Sequence, residues 1–386
     1  MFGLLISLIL IQISQLEANE SKRPKHDGIL PVLVQQVCRH GDRSPVNLFP
    51  NNQHRDAWIQ GPGYLTPEGE KMLYDNGAAF RSSWYPGLLS EIVYPNESYV
   101  VSSHIDRCIM SANSFMAALY PPTQQFQFEQ GLNWQAFPTH MISAQIDFYL
   151  YGTDCPAGIE ARERIYTSEA YLQFLGDNQL FINNTCQLAG YQESDWTINS
   201  LSTISDNLIC DSAHNLSFPD WATESVVAEM TNILNVQRQF LYSDPEVNYL
   251  DTGGGPVLGL MVENIEKKMN GSLTQKFIYY SAHDTTVLPF LGIMEQDVGP
   301  NPPYSSCGVL ELYQSNDNDF FVQLSFRNKT LDMTNDVRLM PKCNDVMCDY
   351  ATFSQMVAPK VNMDPKTACY LTSKDKNLET NRKNLV

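Results

Sequence analysis

The chain has 386 residues, 43% hydrophobic and 18% charged, with 25 Lys and Arg against 43 Asp and Glu, a formal charge of −18. Such a composition fills a large core and argues against a disordered or low-complexity scaffold. The length fits one large domain with insertions, or two domains, and the acidic surface opposes nonspecific contact with nucleic acid or anionic lipid.

In chain order, Phe2–Ile13 is an apolar run too short to span a bilayer. It reads as a secretory signal peptide over residues 1–18, with Ala18 as its last residue; the alternative is a buried N-terminal helix. No later stretch reaches the length of a membrane span, and the polar segment from Ser373 onward is not an anchor, so no transmembrane anchor is expected. Asn-x-Ser/Thr sequons at Asn96, Asn183, Asn215, Asn270 and Asn328, with another at Asn19, agree with export. The nine cysteines are Cys38, Cys108, Cys155, Cys186, Cys210, Cys307, Cys343, Cys348 and Cys369. They form no C-x-x-C pair, and an odd number leaves at least one thiol free.

Ile29–Cys38 reads as a buried strand ending abruptly in charge. Thr66 caps a helix running to about Ser82, with Pro67 in its first turn. Ser98–Ser103 is a short strand, and Asp106–Tyr120 an apolar helix stopped by Pro121 and Pro122. Residues 130–225 are irregular, with helical stretches near Glu160–Leu175. Helices follow at Thr223–Tyr242 and Pro256–Met269, the latter closed by Asn270-Gly271. Phe277–Ala282 is a second buried strand, Asp284–Leu291 starts a helix, and Val309–Gln314 with Phe320–Arg327 alternate as a hairpin. The expected fold is α/β: a mixed central sheet flanked by helices, with an antiparallel edge. Residues 19–129 and 226–386 form its catalytic domain, and 130–225 a smaller, mainly helical cap.

Three segments carry chemistry. Arg39-His40-Gly41-Asp42-Arg43 follows the first buried strand directly, where open α/β sheets bind ligands. Guanidinium groups match phosphate oxygens in a fork, and a histidine among arginines is driven to its neutral, nucleophilic form. Asp42 is expected to pair with these arginines. Arg107, in Ser102–Arg107, lies where a second strand hands over to a helix, while His104 beside it reads as a structural or rim histidine. His283 and Asp284 sit where a third strand meets a helix start, a position that favours anions. Beside bound phosphate, the Asp284 carboxyl is expected to keep its proton, as a general acid must; a plain helix cap is the other use of Asp there. Gly253-Gly254-Gly255 lacks the Lys-Ser/Thr of a phosphate loop and reads as a tight turn. Clustered carboxylates and histidines at metal-ligand spacing are missing from the sequence pattern, so no metal or other cofactor is expected.

Together these segments resemble the histidine acid phosphatase family, in its prostatic and lysosomal branch. R-H-G-D-R-S-P at Arg39–Pro45 is the family signature, D-R-C-I-M-S-A at Asp106–Ala112 resembles its second motif, and S-A-H-D-T-T at Ser281–Thr286 its His-Asp motif. Similarity extends through Gly254–Glu266, Pro302–Leu312 and Cys343–Cys348, and is weakest around 130–205. The resemblance implies a phosphoglycerate mutase-like fold and a secreted or lysosomal-type acid phosphatase acting on small phosphomonoesters, with no nucleic-acid partner. It implies that His40 becomes phosphorylated, that Arg39, Arg43, Arg107 and His283 bind phosphoryl oxygens, and that Asp284 protonates the leaving alcohol. It also implies a homodimer and disulfides Cys155–Cys369, Cys210–Cys307 and Cys343–Cys348. Cys38, Cys108 and Cys186 depart from the family pattern; Cys38 and Cys108 read as buried thiols or as an unusual bonded pair. A phytase-like relative and a catalytically silent secreted glycoprotein are the alternatives.

Overall fold

The computed structural model describes residues 30–151, 155–250, 253–297, 299–328 and 336–370. The leader, Asn19 and the C-terminal segment from Ser373 lie outside them. In chain order the elements are β1 (Leu30–Arg39), α1 (Pro67–Ala79), β2 (Ser98–Ser102), α2 (Asp106–Leu119), β3 (His140–Met141), α3 (Pro156–Tyr166), α4 (Glu169–Leu188), α5 (Ile198–Ala213), α6 (Glu224–Tyr242), α7 (Pro245–Leu250), α8 (Gly255–Met269), β4 (Phe277–Ala282), α9 (Asp284–Ile293), β5 (Cys307–Gln314), β6 (Phe320–Arg327), β7 (Asp336–Arg338), β8 (Cys348–Asp349), α10 (Tyr350–Val357) and α11 (Pro365–Tyr370).

The strands form one mixed sheet in the order β3-β2-β4-β1-β5-β6-β7, with β8 beside β6. β3, β2, β4 and β1 run parallel, while β5, β6 and β7 extend the sheet antiparallel. This is the expected α/β architecture. Successive strand residues point to opposite faces, and here both faces are covered. Leu33, Val37, Ile278 and Tyr280 pack with Val257, Met261 and Ile265 of α8 on one side. Val34, Phe277, Tyr279 and Val309 pack with Leu73 of α1 and Phe115 and Met116 of α2 on the other. Burial on both faces explains why β1 and β4 read as apolar runs rather than alternating ones.

Register decides where the chemistry lies. Ser102 of β2 and Cys38 of β1 both sit opposite Ser281 of β4. Three parallel strands therefore end level, and the residues that follow them leave the sheet at one edge.

Local signals set the helix ends. The Thr66 hydroxyl accepts from the Gly69 amide at the start of α1, with Pro67 next to it. α1 stops at Ala79 and continues as one π-type turn over Phe80–Trp84, earlier than the Ser82 end expected for a regular helix. Gly253, at φ +88°, makes the turn into α8. In the middle of the chain, Ser168 caps a fresh helix after α3 and Thr197 caps α5. α4, α5 and α6 bury their own cluster, including Ile182, Leu201, Ile204, Leu208, Met230 and Ile233, apart from the sheet.

The disulfides are Cys38–Cys307, Cys155–Cys369 and Cys343–Cys348, leaving Cys108, Cys186 and Cys210 as buried thiols. The expected Cys210–Cys307 bond is corrected. Cys307 lies directly opposite Cys38 in the β1/β5 ladder, with Cα atoms 4.1 Å apart. The pairing register itself brings the two sulfurs within bonding reach. Cys210, on α5, instead places its sulfur 3.8 Å from Arg43 Nη1 and 3.6 Å from the Tyr304 hydroxyl. Nor does Cys38 pair with Cys108.

Candidate active site

His40 is the first residue beyond β1. Its amide donates to the Ala282 carbonyl (3.0 Å), and its own carbonyl accepts from Ser305 (3.0 Å), so its backbone is pinned between two neighbouring segments. Gly41 permits a contact no side chain would allow: a Cβ there would sit 2.3 Å from the Gly69 carbonyl oxygen at the start of α1. The loop thus lies against the first turn of α1, and the Gly41 amide donates to Ser111 of α2 (3.1 Å).

The imidazole orientation follows from chemistry. His40 Nδ1 is 2.8 Å from the Gly41 carbonyl oxygen, which can only accept. Nδ1 therefore carries the hydrogen, and Nε2 keeps an uncommitted lone pair. The ring is 2% exposed. Burial, then the charges of Arg107, Arg39 and Arg43, push its pKa well below the ordinary imidazole value. It is neutral, as expected for a histidine among arginines.

Each cation is anchored from a different element. Arg39 donates to the Pro302 carbonyl (2.6 Å) and to Asp284 Oδ2 (3.1 Å). Arg43 grips both oxygens of Asp206 on α5, at 2.8 and 3.1 Å. Arg107, on the first turn of α2, places Nη2 3.4 Å from His283 Nδ1. Burial, with Arg43 also acting, lowers the Arg107 pKa. His283 is the N-cap of α9, with Nε2 3.0 Å from the Ser103 hydroxyl, and its ring lies edge-on to His40 at 5.6 Å. Burial and Arg107 pull its pKa down to about 3. Residues from all three sequence segments therefore meet at the one sheet edge.

Asp284 is the first residue of α9, not its cap. Its Oδ1 accepts from the Thr285 amide and its Oδ2 from Asn301 (both 2.9 Å). Burial opposes ionisation, but the Arg39 charge, the Asn301 hydrogen bond and the Arg43 charge hold the carboxyl well below its ordinary range. With protein groups alone around it, Asp284 is a carboxylate. The proton expected there has to come with the charge of a bound phosphoryl group.

Asp42 does not pair with the arginines, contrary to expectation. It is 1% exposed and accepts from Thr66 (2.5 Å) and from His214 Nε2 (2.6 Å) at the end of α5. The two arginines beside it in sequence are already taken by Asp284 and Asp206. Asp42, Glu68 and His214 are also the group whose oxygens and nitrogen fall within metal-ligand distance among the described residues. His104 packs against Tyr151 at 5.5 Å.

Several neighbours escaped the sequence reading. Tyr304 lies under the Arg39 guanidinium (4.2 Å to the ring centre) and 5.8 Å from His40. It falls in Pro302–Leu312, already marked by resemblance, but an isolated Tyr carries no spacing signal. Asp206, Asn301 and Ser103 are ordinary polar residues that only the fold brings near. The Cys108 thiol donates toward the Ala282 carbonyl (3.2 Å), and burial pushes its pKa up to about 12, which leaves it a packing group.

The family model of the Histidine phosphatase superfamily (branch 2) matches residues 32–327. The chain is 31% identical over 376 residues to the lysosomal acid phosphatase of Xenopus laevis, covering 96% of this chain and 84% of that one. It is 33% identical over 342 residues to the prostatic acid phosphatase of Bos taurus, covering 87% of each. Among solved structures, the apo form of Hafnia Alvei phytase superposes with a TM-score of 0.63 at 17% identity, over 90% of this chain and 99% of that one, a likeness of fold alone. The chain belongs to branch 2 of the histidine phosphatase superfamily.

Proposed function

We propose that this protein is an acid phosphatase that hydrolyses phosphate monoesters through a phosphohistidine on His40. One observation carries the reading: Gly41 holds Nδ1–H, so a neutral Nε2 lone pair stands among three guanidinium groups.

In the first step the Nε2 lone pair forms a bond to phosphorus as the P–O bond to the alcohol breaks. Its electrons pass to the alcohol oxygen, which takes the Asp284 proton. Arg39, Arg43 and Arg107 hold the phosphoryl oxygens, and their fixed charges supply most of what phosphoryl transfer requires. The Ser103 hydroxyl can donate or accept, so His283 is free to present Nδ1–H to the anion once Arg107 turns to it. In the second step water attacks phosphorus, gives its proton to the Asp284 carboxylate, and the P–N bond breaks with its electrons returning to Nε2. The sum is ester plus water giving alcohol plus phosphate, with no metal.

Asp284 takes its proton from solvent, and the substrate's charge is what makes the carboxyl hold it. The phosphoryl dianion draws Arg39 away and repels the carboxylate, so both effects raise the pKa that Arg39 now depresses. Activity then belongs on the acid side of neutrality. The cap, drawn from 130–225 and the start of α6, shapes the leaving-group side through Asp206. Export is consistent with three disulfides and with exposed sequon asparagines at Asn96, Asn215, Asn270 and Asn328; Asn183 is half-buried on α4. No helix among the described residues is long and apolar enough to cross a membrane. Turnover of 4-nitrophenyl phosphate at acid pH, unaffected by chelator, is expected. A well-folded preparation without it would leave a silent glycoprotein.

A further inference from the structure

A cleft of about 450 Å³ opens from Arg39, Arg43 and Asp284 toward the cap helices α5 and α6. It is the space beside the acid–base carboxyl, where the alcohol part of an ester has to sit. Its far wall is polar, with Ser202, Thr203 and Gln237, and it carries one more guanidinium, Arg238 of α6.

The charges lining this cleft do not cancel. Arg39 is paired with Asp284, and Arg43 with Asp206. Arg238 donates to the neutral Asn235 Oδ1 (3.1 Å) and makes no ion pair among the described residues. Three arginines against two aspartates leave one positive charge in a chain whose formal charge is −18. Protonation of Asp284 during catalysis would raise that surplus to two. Arg238 lines the same cleft as Asp284 and Arg39, and burial lowers its pKa, with Asp284 acting to raise it and Arg39 to lower it. A half-buried guanidinium with no carboxylate partner is costly to keep unless a ligand supplies the anion.

We propose that Arg238 is a specificity-determining residue, which pairs with a second anionic group, carboxylate or phosphate, carried on the alcohol portion of the substrate. This rests on the phosphatase reading above. The protein would then favour doubly anionic monoesters over neutral-tailed ones. An Arg fork matches either anion in the same bidentate way.

The test compares phenyl phosphate, 4-carboxyphenyl phosphate and benzene-1,4-diol bisphosphate on the full-length protein and on Arg238→Gln and Arg238→Lys. Arg238→Gln should lower kcat/KM for the two charged-tail esters by roughly 10- to 100-fold, the worth of a charge-assisted hydrogen bond, mainly through KM. Phenyl phosphate should change by less than about twofold, and Arg238→Lys should recover part of the loss. The carboxylate and bisphosphate arms separately show which anion the cleft prefers. Equal losses on all three esters, or a shifted pH profile, would mean that Arg238 acts through Asp284 and would overturn the proposal; no loss would overturn it as well. Should Arg238→Gln fail to fold, calorimetry on the wild-type protein decides. 4-Carboxyphenylphosphonate must bind at least about tenfold tighter than phenylphosphonate, with the gap closing in high salt. Equal affinities would refute the inference even in a protein that turned over no ester, so this outcome is separable from failure of the phosphatase reading.

Discussion

Replacing His283 by Asn removes one of the two imidazoles buried among the described residues, and the effect on stability depends on pH. His283 is 2% exposed, and burial followed by the Arg107 charge brings its pKa from 6.5 down to about 3, against the pull of Asp284. In the unfolded chain the ring regains its ordinary 6.5. Below that pH the unfolded chain takes up a proton that the folded one refuses. Folding stability therefore falls as pH drops from 6.5, and the fall ends near pH 3, where the folded ring also protonates. From pH 6.5 to pH 5 the loss is about 2 kcal/mol, at roughly 1.4 kcal/mol per pH unit. Asn keeps a polar group for Ser103 and cannot titrate. Denaturant melts of both proteins at pH 7.5 and pH 5.0 give two stability drops, and the wild-type drop should exceed the variant's by about 2 kcal/mol. The comparison cancels the variant's absolute stability and every other titrating group. Equal drops would show that His283 charges freely in the fold, and the argument for neutral imidazoles would fail with it.

Asp284→Asn should lower kcat/KM, which reports transfer to His40 and not the later water step, by about 10²- to 10⁴-fold for alkyl phosphates, while 4-nitrophenyl phosphate, whose leaving group needs no proton, loses less than about tenfold. Equal losses would remove Asp284 as the acid. The same variant frees Arg39 from its ion pair, so inorganic phosphate should inhibit more tightly, by roughly tenfold, in competition assays. Peptide mapping under non-reducing conditions should yield a Cys38–Cys307 linkage and three alkylatable thiols at Cys108, Cys186 and Cys210. A Cys210–Cys307 peptide would contradict the β1/β5 register. Gly69→Ala puts a Cβ 2.1 Å from the Asp42 carbonyl oxygen and must displace the His40 loop. Turnover should fall at least about 100-fold, and an active Gly69→Ala would show that the loop does not rest on α1 as described.

Much of the sheet was legible because burial on both faces writes itself into composition. Phe277–Ala282 and Phe320–Arg327 appear with the bounds expected of them, and β1 differs by one residue at each end. The helix start at Pro67 was visible in its capping threonine, and the helix expected over Thr223–Tyr242 begins one residue later, at Glu224, because Thr223 caps it. α5 was not, since Asn, Ser, Thr and Asp fill most of Ile198–Ala213 and dilute the apolar period. Its buried stripe, Leu201, Ile204 and Leu208, only makes sense once α4 and α6 are there to cover it. At the site, charged motifs following buried strands were enough to mark His40, Arg107 and Asp284. The partners were not marked, because pairing is a property of the fold. Asp42 belongs to His214 across 172 residues, Arg43 to Asp206 across 163, and the ladder opposite Cys38 chose Cys307. The ionised state of Asp284 was hidden for the same reason: sequence order gives no hint that Arg39 reaches it.

Rapid quenching of the protein during turnover of a radiolabelled phosphomonoester, with digestion and mass mapping, tests the central claim most directly. Acid-labile, base-stable label on Nε2 of His40, absent from His40→Ala, is the predicted result. Label on another residue, or steady turnover by His40→Ala, would contradict the account.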